Sequence, residues 1–213
     1  TSIGTDTSNF MSDVGAGTAV ANITGTQPFS VRPSVELDST GDMVLSSKWD
    51  LSSWRAGQVP GTLLLRAAGD VDINAQLTDG FQDRSIVNFP FQTFITKNLL
   101  MDDESWSYKI SAGADIGSAN PLAVSETPHD IVVGSGSSIR TGTGDISLSA
   151  SGNLDLLDSS AVIYTAGRYG GTGSLDSVPF GPDGYTLGES FIYYMMNGAQ
   201  LPKDGGNINI SVG

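Results

Sequence analysis

A five-residue unit recurs along this chain: glycine, then aspartate or asparagine, then an apolar residue, any residue and a second apolar residue. It stands at Gly41-Asp42-Met43-Val44-Leu45, Gly69-Asp70-Val71-Asp72-Ile73, Gly144-Asp145-Ile146-Ser147-Leu148, Gly152-Asn153-Leu154-Asp155-Leu156 and Gly206-Asn207-Ile208-Asn209-Ile210. His129-Asp130-Ile131-Val132-Val133 keeps everything but the glycine. Glycine is expected to accept the positive φ of a tight turn and Asp or Asn to bond local backbone groups, while the alternation behind them sends two apolar side chains to one face of a short strand. One such strand cannot bury that face alone. Similar units stacked in register can, each bonding to the strands above and below at about 4.8 Å, so the repeat predicts an all-β chain built as a parallel β-helix.

A complete rung is legible between Asp145 and Gly167. It reads as the strand Ile146 to Ala150, a Ser-Gly-Asn turn, the strand Leu154 to Leu157, an Asp-Ser-Ser turn and the strand Ala161 to Tyr164. Roughly 20 residues per rung lies in the range of solenoid repeats. With 27 Gly and 9 Pro, long helices are disfavoured, yet 38% hydrophobic residues supply enough apolar surface for a core. Residues 1–30 read as a polar segment leading into a β-helix over 31–213. Two stretches interrupt the repeat, at about 81–104 and about 168–204, and are expected to be loops extruded from the coil. Within the second, Leu187 to Asn197 has the pattern of a short helix ended by Gly198.

The charge balance excludes several partners. Ten Lys and Arg against 23 Asp and Glu give a net charge of -13, which repels phosphate backbones and anionic lipid surfaces, so nucleic acid is not an expected partner. The absence of Cys removes thiolate chemistry, disulfides and zinc–thiolate sites. No apolar run approaches the roughly 20 residues of a membrane-spanning helix, so no membrane insertion is expected. The chain opens at Thr1 without a secretory leader and stops at Gly213 just after a strand-like run, so both ends are expected to be cuts in a longer polypeptide.

Ordered blocks of the chain resemble the filamentous haemagglutinin-like large exoproteins. They include Val31-Arg32-Pro33-Ser34-Val35-Glu36-Leu37, Trp49-Asp50-Leu51-Ser52-Ser53-Trp54-Arg55, Pro60-Gly61-Thr62-Leu63-Leu64-Leu65-Arg66-Ala67-Ala68-Gly69-Asp70 and Ser138-Ile139-Arg140-Thr141-Gly142-Thr143-Gly144-Asp145. Leu77-Thr78-Asp79-Gly80-Phe81, Ser105-Trp106-Ser107-Tyr108, Gly113-Ala114-Asp115 and Val162-Ile163-Tyr164-Thr165-Ala166-Gly167-Arg168 fall in the same order. The resemblance covers about 31–213. It implies a right-handed parallel β-helix, an internal segment of a protein secreted by a two-partner pathway to the bacterial surface. It also implies adhesive, filament or biofilm roles, through a host or matrix glycan or protein receptor or through self-association into filaments. It supplies no catalytic residues.

Read one by one, the reactive side chains point the same way. His129, the sole histidine, lies between Pro128 and Asp130 with no nucleophile elbow nearby, so a structural or exposed role is expected. Asp102, Asp103 and Glu104 gather three carboxylates, the oxygen-rich chemistry that calcium takes. Their spacing matches no known calcium loop, and a solvated acidic loop is the plainer reading. Polysaccharide lyases also use parallel β-helices, but Arg66, Arg140 and Arg168 are scattered and are expected on outward faces, so no enzyme activity is expected. Trp54, Trp106, Tyr169, Tyr185, Tyr193 and Tyr194 offer flat rings to a glycan or protein partner; the competing reading for the tryptophans is packing against the coil.

Overall fold

A computed structural model describes residues 32–55, 59–88, 93–168 and 204–213, of which 84–88 and 93–99 are described by their backbone. The chain is all-β, and the described strands form three parallel sheets and one hairpin. The first sheet contains β1 (Ser34–Ser39), β4 (Thr62–Ala67), β9 (Ser107–Ala112), β12 (Ile146–Ala150) and β15 (Ile208–Val212). The second contains β2 (Met43–Leu45), β5 (Val71–Ile73), β10 (Ile131–Val133) and β13 (Leu154–Leu156). The third contains β3 (Trp49–Asp50), β6 (Gln76–Thr78), β11 (Ser138–Thr141) and β14 (Val162–Thr165). Among the described residues, strands β7 (Phe81–Asn88) and β8 (Thr93–Leu100) pair with each other alone, antiparallel. The three strands expected between Asp145 and Gly167 correspond to β12, β13 and β14, one in each of the parallel sheets.

Register turns the apolar alternation into columns. In the first sheet Val35, Leu63, Tyr108, Ile146 and Ile208 succeed one another, as do Leu37, Leu65, Ile110, Leu148 and Ile210. In the second, Val71, Ile131 and Leu154 stack beside Ile73, Val133 and Leu156. The third contributes Trp49, Leu77, Ile139 and Ile163. The middle members of these columns are the core: Leu63, Tyr108, Ile110, Val71, Ile131, Leu77 and Ile139 are at most 1% exposed. Each such burial contributes about 1.5–3 kcal/mol, which no single rung achieves alone.

The repeat glycines serve a different purpose from the one expected. None of Gly41, Gly69, Gly144, Gly152 and Gly206 has a positive φ. A Cβ on Gly69 would overlap the Asp42 side chain, one on Gly152 the Asp130 side chain, and one on Gly206 the Gly144 carbonyl. The missing side chain makes room for the rung below. Gly41, in the first described rung, has nothing within 4 Å.

The Asp and Asn side chains likewise reach further than the local turn. Asp42 Oδ1 accepts the main-chain N–H of Asp70 at 3.0 Å, Asp70 Oδ1 that of Asp130 at 2.9 Å, and Asp130 Oδ1 that of Asn153 at 2.6 Å. In the first sheet Asp145 Oδ1 accepts from Asn207 N–H at 2.7 Å. At the corner ahead of each strand the main-chain N–H has left one ladder before joining the next. In these four cases a carboxylate from the neighbouring strand's corner satisfies it; the Asp70–Asp130 bond is half-buried and the others are exposed.

Excursions leave at the corners. The stretch expected as a loop at about 81–104 is largely strand, namely the β7–β8 hairpin inserted between β6 and β9. A second long connection joins β14 to β15, again from the third sheet to the first; residues 169–203 within it, with the helix expected at Leu187 to Asn197, and the polar segment 1–30 lie outside the described residues. Gly80 (φ 83°) and Gly167 (φ 78°) stand where these two branch off, a conformation that side chains resist. A third insertion, 113–130 between β9 and β10, was not expected from the repeat.

Candidate functional site

Each insertion is rooted by an arginine. Arg55 reaches both ends of the hairpin: its guanidinium donates to both Asp79 carboxylate oxygens at 2.8 and 2.9 Å, to the Glu104 carbonyl and to the Ser52 carbonyl. Asp79 Oδ2 also accepts the Trp106 N–H at 2.7 Å. The Asp79 side chain is fully buried and that of Arg55 is 5% exposed. Burial pushes the Asp79 carboxyl above the usual range, and the Arg55 charge opposes that shift. On the outer face of the third sheet, Arg140 lies 4.1 Å over the Phe81 ring and bonds Thr78 Oγ1 and Tyr164 Oη. Phe81 meets the Tyr164 ring edge-on at 6.0 Å. The first residue of the hairpin is thus held by packing and charge together.

The 113–130 insertion folds over the first sheet. Arg66 stands at an outward register position, as expected, but it is buried because its guanidinium donates to the Asp115 and Ser118 carbonyls while pairing with Glu36 at 2.7 Å. Ser111 Oγ donates to the Pro121 carbonyl alongside. At the last excursion Arg168 pairs with Asp204 at 2.7 Å across its two ends, with Asp204 at φ 58°.

Between the hairpin root and the Arg168–Asp204 pair lies a polar cleft of about 410 Å³. Arg32, Glu104, Ser105, Ser107, Thr143, Gly144, Asp145, Arg168 and Asp204 line it, all at the corner entering the first sheet. Arg32 pairs with Glu104 at 2.6 Å on one side. Ser105 and Thr143 exchange two hydrogen bonds on its floor, each hydroxyl accepting the other's main-chain N–H. The lining offers hydroxyls, two charge pairs and the Asp145 carboxylate, which suits a hydroxyl-rich ligand better than a purely apolar one.

The candidate residues separate on these facts. Trp106 is completely buried and cannot meet a glycan or protein partner, because its ring lies on the inward face beside Tyr108. Trp54 is half-buried, with its ring tilted against Trp49 at 5.6 Å. Tyr169, Tyr185, Tyr193 and Tyr194 lie outside the described residues. Glu104 is turned to Arg32, Asp102 and Asp103 stay exposed, and among the described residues no three acidic or histidine side chains converge as a metal site.

His129 has acquired neighbours that the sequence keeps far apart. Its Nδ1 lies 3.0 Å from Asp70 Oδ1, and its main-chain N–H donates to Ser151 Oγ. The Asp130 N–H, then His129, hold the Asp70 carboxyl below the usual range. The serine, histidine and aspartate resemble a nucleophilic triad only in composition. Ser151 Oγ donates its proton to the Thr127 carbonyl at 2.6 Å, so its bonds go to main-chain groups and not to the imidazole. What the arrangement does is tie the β4–β5, β9–β10 and β12–β13 corners together.

Comparison with known proteins finds no family model, no curated protein and no solved structure that matches this chain.

Proposed function

We propose that the chain is a rod segment of a right-handed parallel β-helix, non-enzymatic and extracellular, that displays its excursions for adhesion to a host or matrix glycan or protein receptor. One observation carries the reading. Successive strands visit the first, second and third sheets in the same order, and register is kept across insertions of very different length. A stack that tolerates insertions at its corners, and roots each with an arginine, suits the display of binding elements on a stiff support. The resemblance to filamentous haemagglutinin-like exoproteins adds the two-partner secretion route and the bacterial surface as the setting.

The polar cleft favours a glycan as the ligand class. The hydrogen bonding of Ser151, which goes to main-chain groups and not to the His129 imidazole, favours binding over cleavage. A glycan array probed with the whole chain, with and without calcium, tests this. Selective retention of glycans of unchanged length is expected, and it should weaken when Arg32→Glu alters the cleft wall. Shortened glycans would overturn the non-enzymatic reading, and uniform failure to retain any glycan would overturn the glycan receptor.

A further inference from the structure

Strand β9 and the residue before it bring two polar side-chain atoms into the core. Trp106 is completely buried and Tyr108 is 1% exposed. Tyr108 stands in the inward column between Leu63 and Ile146, and Trp106, two residues earlier, leaves the chain on the same side. Among the described residues neither Trp106 Nε1 nor Tyr108 Oη has a hydrogen-bond partner. Such atoms have given up their hydration, and a core that leaves them unpaired loses stability for each one.

The chemistry of the two atoms defines what satisfies them. An indole N–H only donates. Burial pushes the Tyr108 phenol well above its ordinary range, Asp79 and Asp50 push it further, and Arg140 and Arg55 oppose them. The hydroxyl therefore keeps its proton, and both atoms call for an acceptor. An anion is disfavoured, because the Asp79 carboxylate is already buried there with Arg55 as its counter-charge. The backbone on either side of Trp106 is small. Ser107 N–H bonds the Gly61 carbonyl at 3.0 Å, and a Cβ on Gly144 would overlap the Trp106 carbonyl, so the indole has a glycine on both sides in its own column. A small, neutral acceptor that can also donate meets these conditions, and water is such a molecule.

We propose that an internal water-binding site lies inside the stack at the start of β9, where a long-resident water accepts the Trp106 Nε1–H and the Tyr108 O–H. The water's own protons are then available to the Asp79 carboxylate, whose charge acts most strongly on that hydroxyl. Asp79 and Arg55 hold the root of the hairpin, so one hydration site joins that root to the core of β9. The site depends only on these buried groups and not on what the chain displays.

Nuclear magnetic resonance on the whole nitrogen-15-labelled chain tests the site. The assigned Trp106 indole N–H should show dipolar cross-relaxation with water, with the sign of a long-lived complex; a buried indole with no such cross-peak would overturn the proposal. Thermal melts of Tyr108→Phe give a second readout in which the two accounts differ in sign. A hydroxyl bonded to water is lost at a cost, and the melting temperature should fall by about 2–4 °C. A hydroxyl with no partner is better removed, so an unchanged or raised melting temperature would also overturn the proposal. Should Tyr108→Phe not fold, the wild-type spectrum decides without it.

Discussion

Gly41 and Gly69 hold the same place in the repeat and face different surroundings. A Cβ on Gly69 would strike the Asp42 side chain and its main-chain N at 2.8 Å, whereas Gly41 has nothing within 4 Å. Gly69→Ala is expected to cost about 1–3 kcal/mol through overpacking, and Gly41→Ala to stay within about 0.5 kcal/mol; urea denaturation of the two variants checks this. Equal losses would mean that turn conformation matters and stacking space does not. The Asx ladder makes a second prediction, through pH. The Asp70 carboxyl is held below its ordinary 3.8, so its contribution is present above that value and is lost as pH falls through the folded pKa. Asp70→Asn keeps an acceptor and loses the charge. The stability gap between wild type and this variant should close as the pH is lowered below about 3.8, measured by thermal melts from neutral to acid pH. The repeat was plain in the sequence, but the reasons for its glycine and Asx were not, because both act across rungs whose separation depends on insertions of irregular length.

At the scale of elements, the roots of the excursions are where the fold concentrates buried charge. Arg55 and Asp79 form a pair shielded from water, tied to the Trp106 N–H and the Glu104 carbonyl. Arg55→Met leaves the Asp79 carboxylate buried without its cation and is expected to destabilise the chain by about 3–5 kcal/mol. The double variant Arg55→Met with Asp79→Leu should recover much of that loss, since a well-packed apolar pair can replace a buried ion pair. A double-mutant cycle from chemical denaturation measures both. Strands of the repeat were legible because alternation and turn residues are local signals. The antiparallel pairing of 81–88 with 93–100 was not, since Phe81 to Leu100 interleaves polar and apolar residues without the Gly-Asx marker. The 113–130 insertion was missed for another reason: Gly113-Ala114-Asp115 looks like part of the stack. Burial of Trp106 was equally hidden, because its inward position follows from the register of β9 with β4 and β12.

For the molecule as a whole, a stack in which each rung touches mainly its neighbours has stability that varies along its length. Burial supports such a gradient. Tyr108, Ile110, Ile131 and Ile139, in the rung of β9, β10 and β11, are at most 1% exposed, whereas every residue of β15 is exposed. Main-chain bonding differs in the same sense: β9 and β10 are hydrogen-bonded on both edges, while β13, β14 and β15 are bonded on one edge among the described residues. Native-state hydrogen exchange should therefore find the slowest amides in β9, β10 and β5, with protection falling stepwise through β12 to β15. Because β13 and β14 are paired on one edge among the described residues, their amides should exchange together and before those of β10 and β11. A single exchange rate across all rungs would mean that the sheets open as one cooperative unit, and the neighbour-by-neighbour account of the stack would fail.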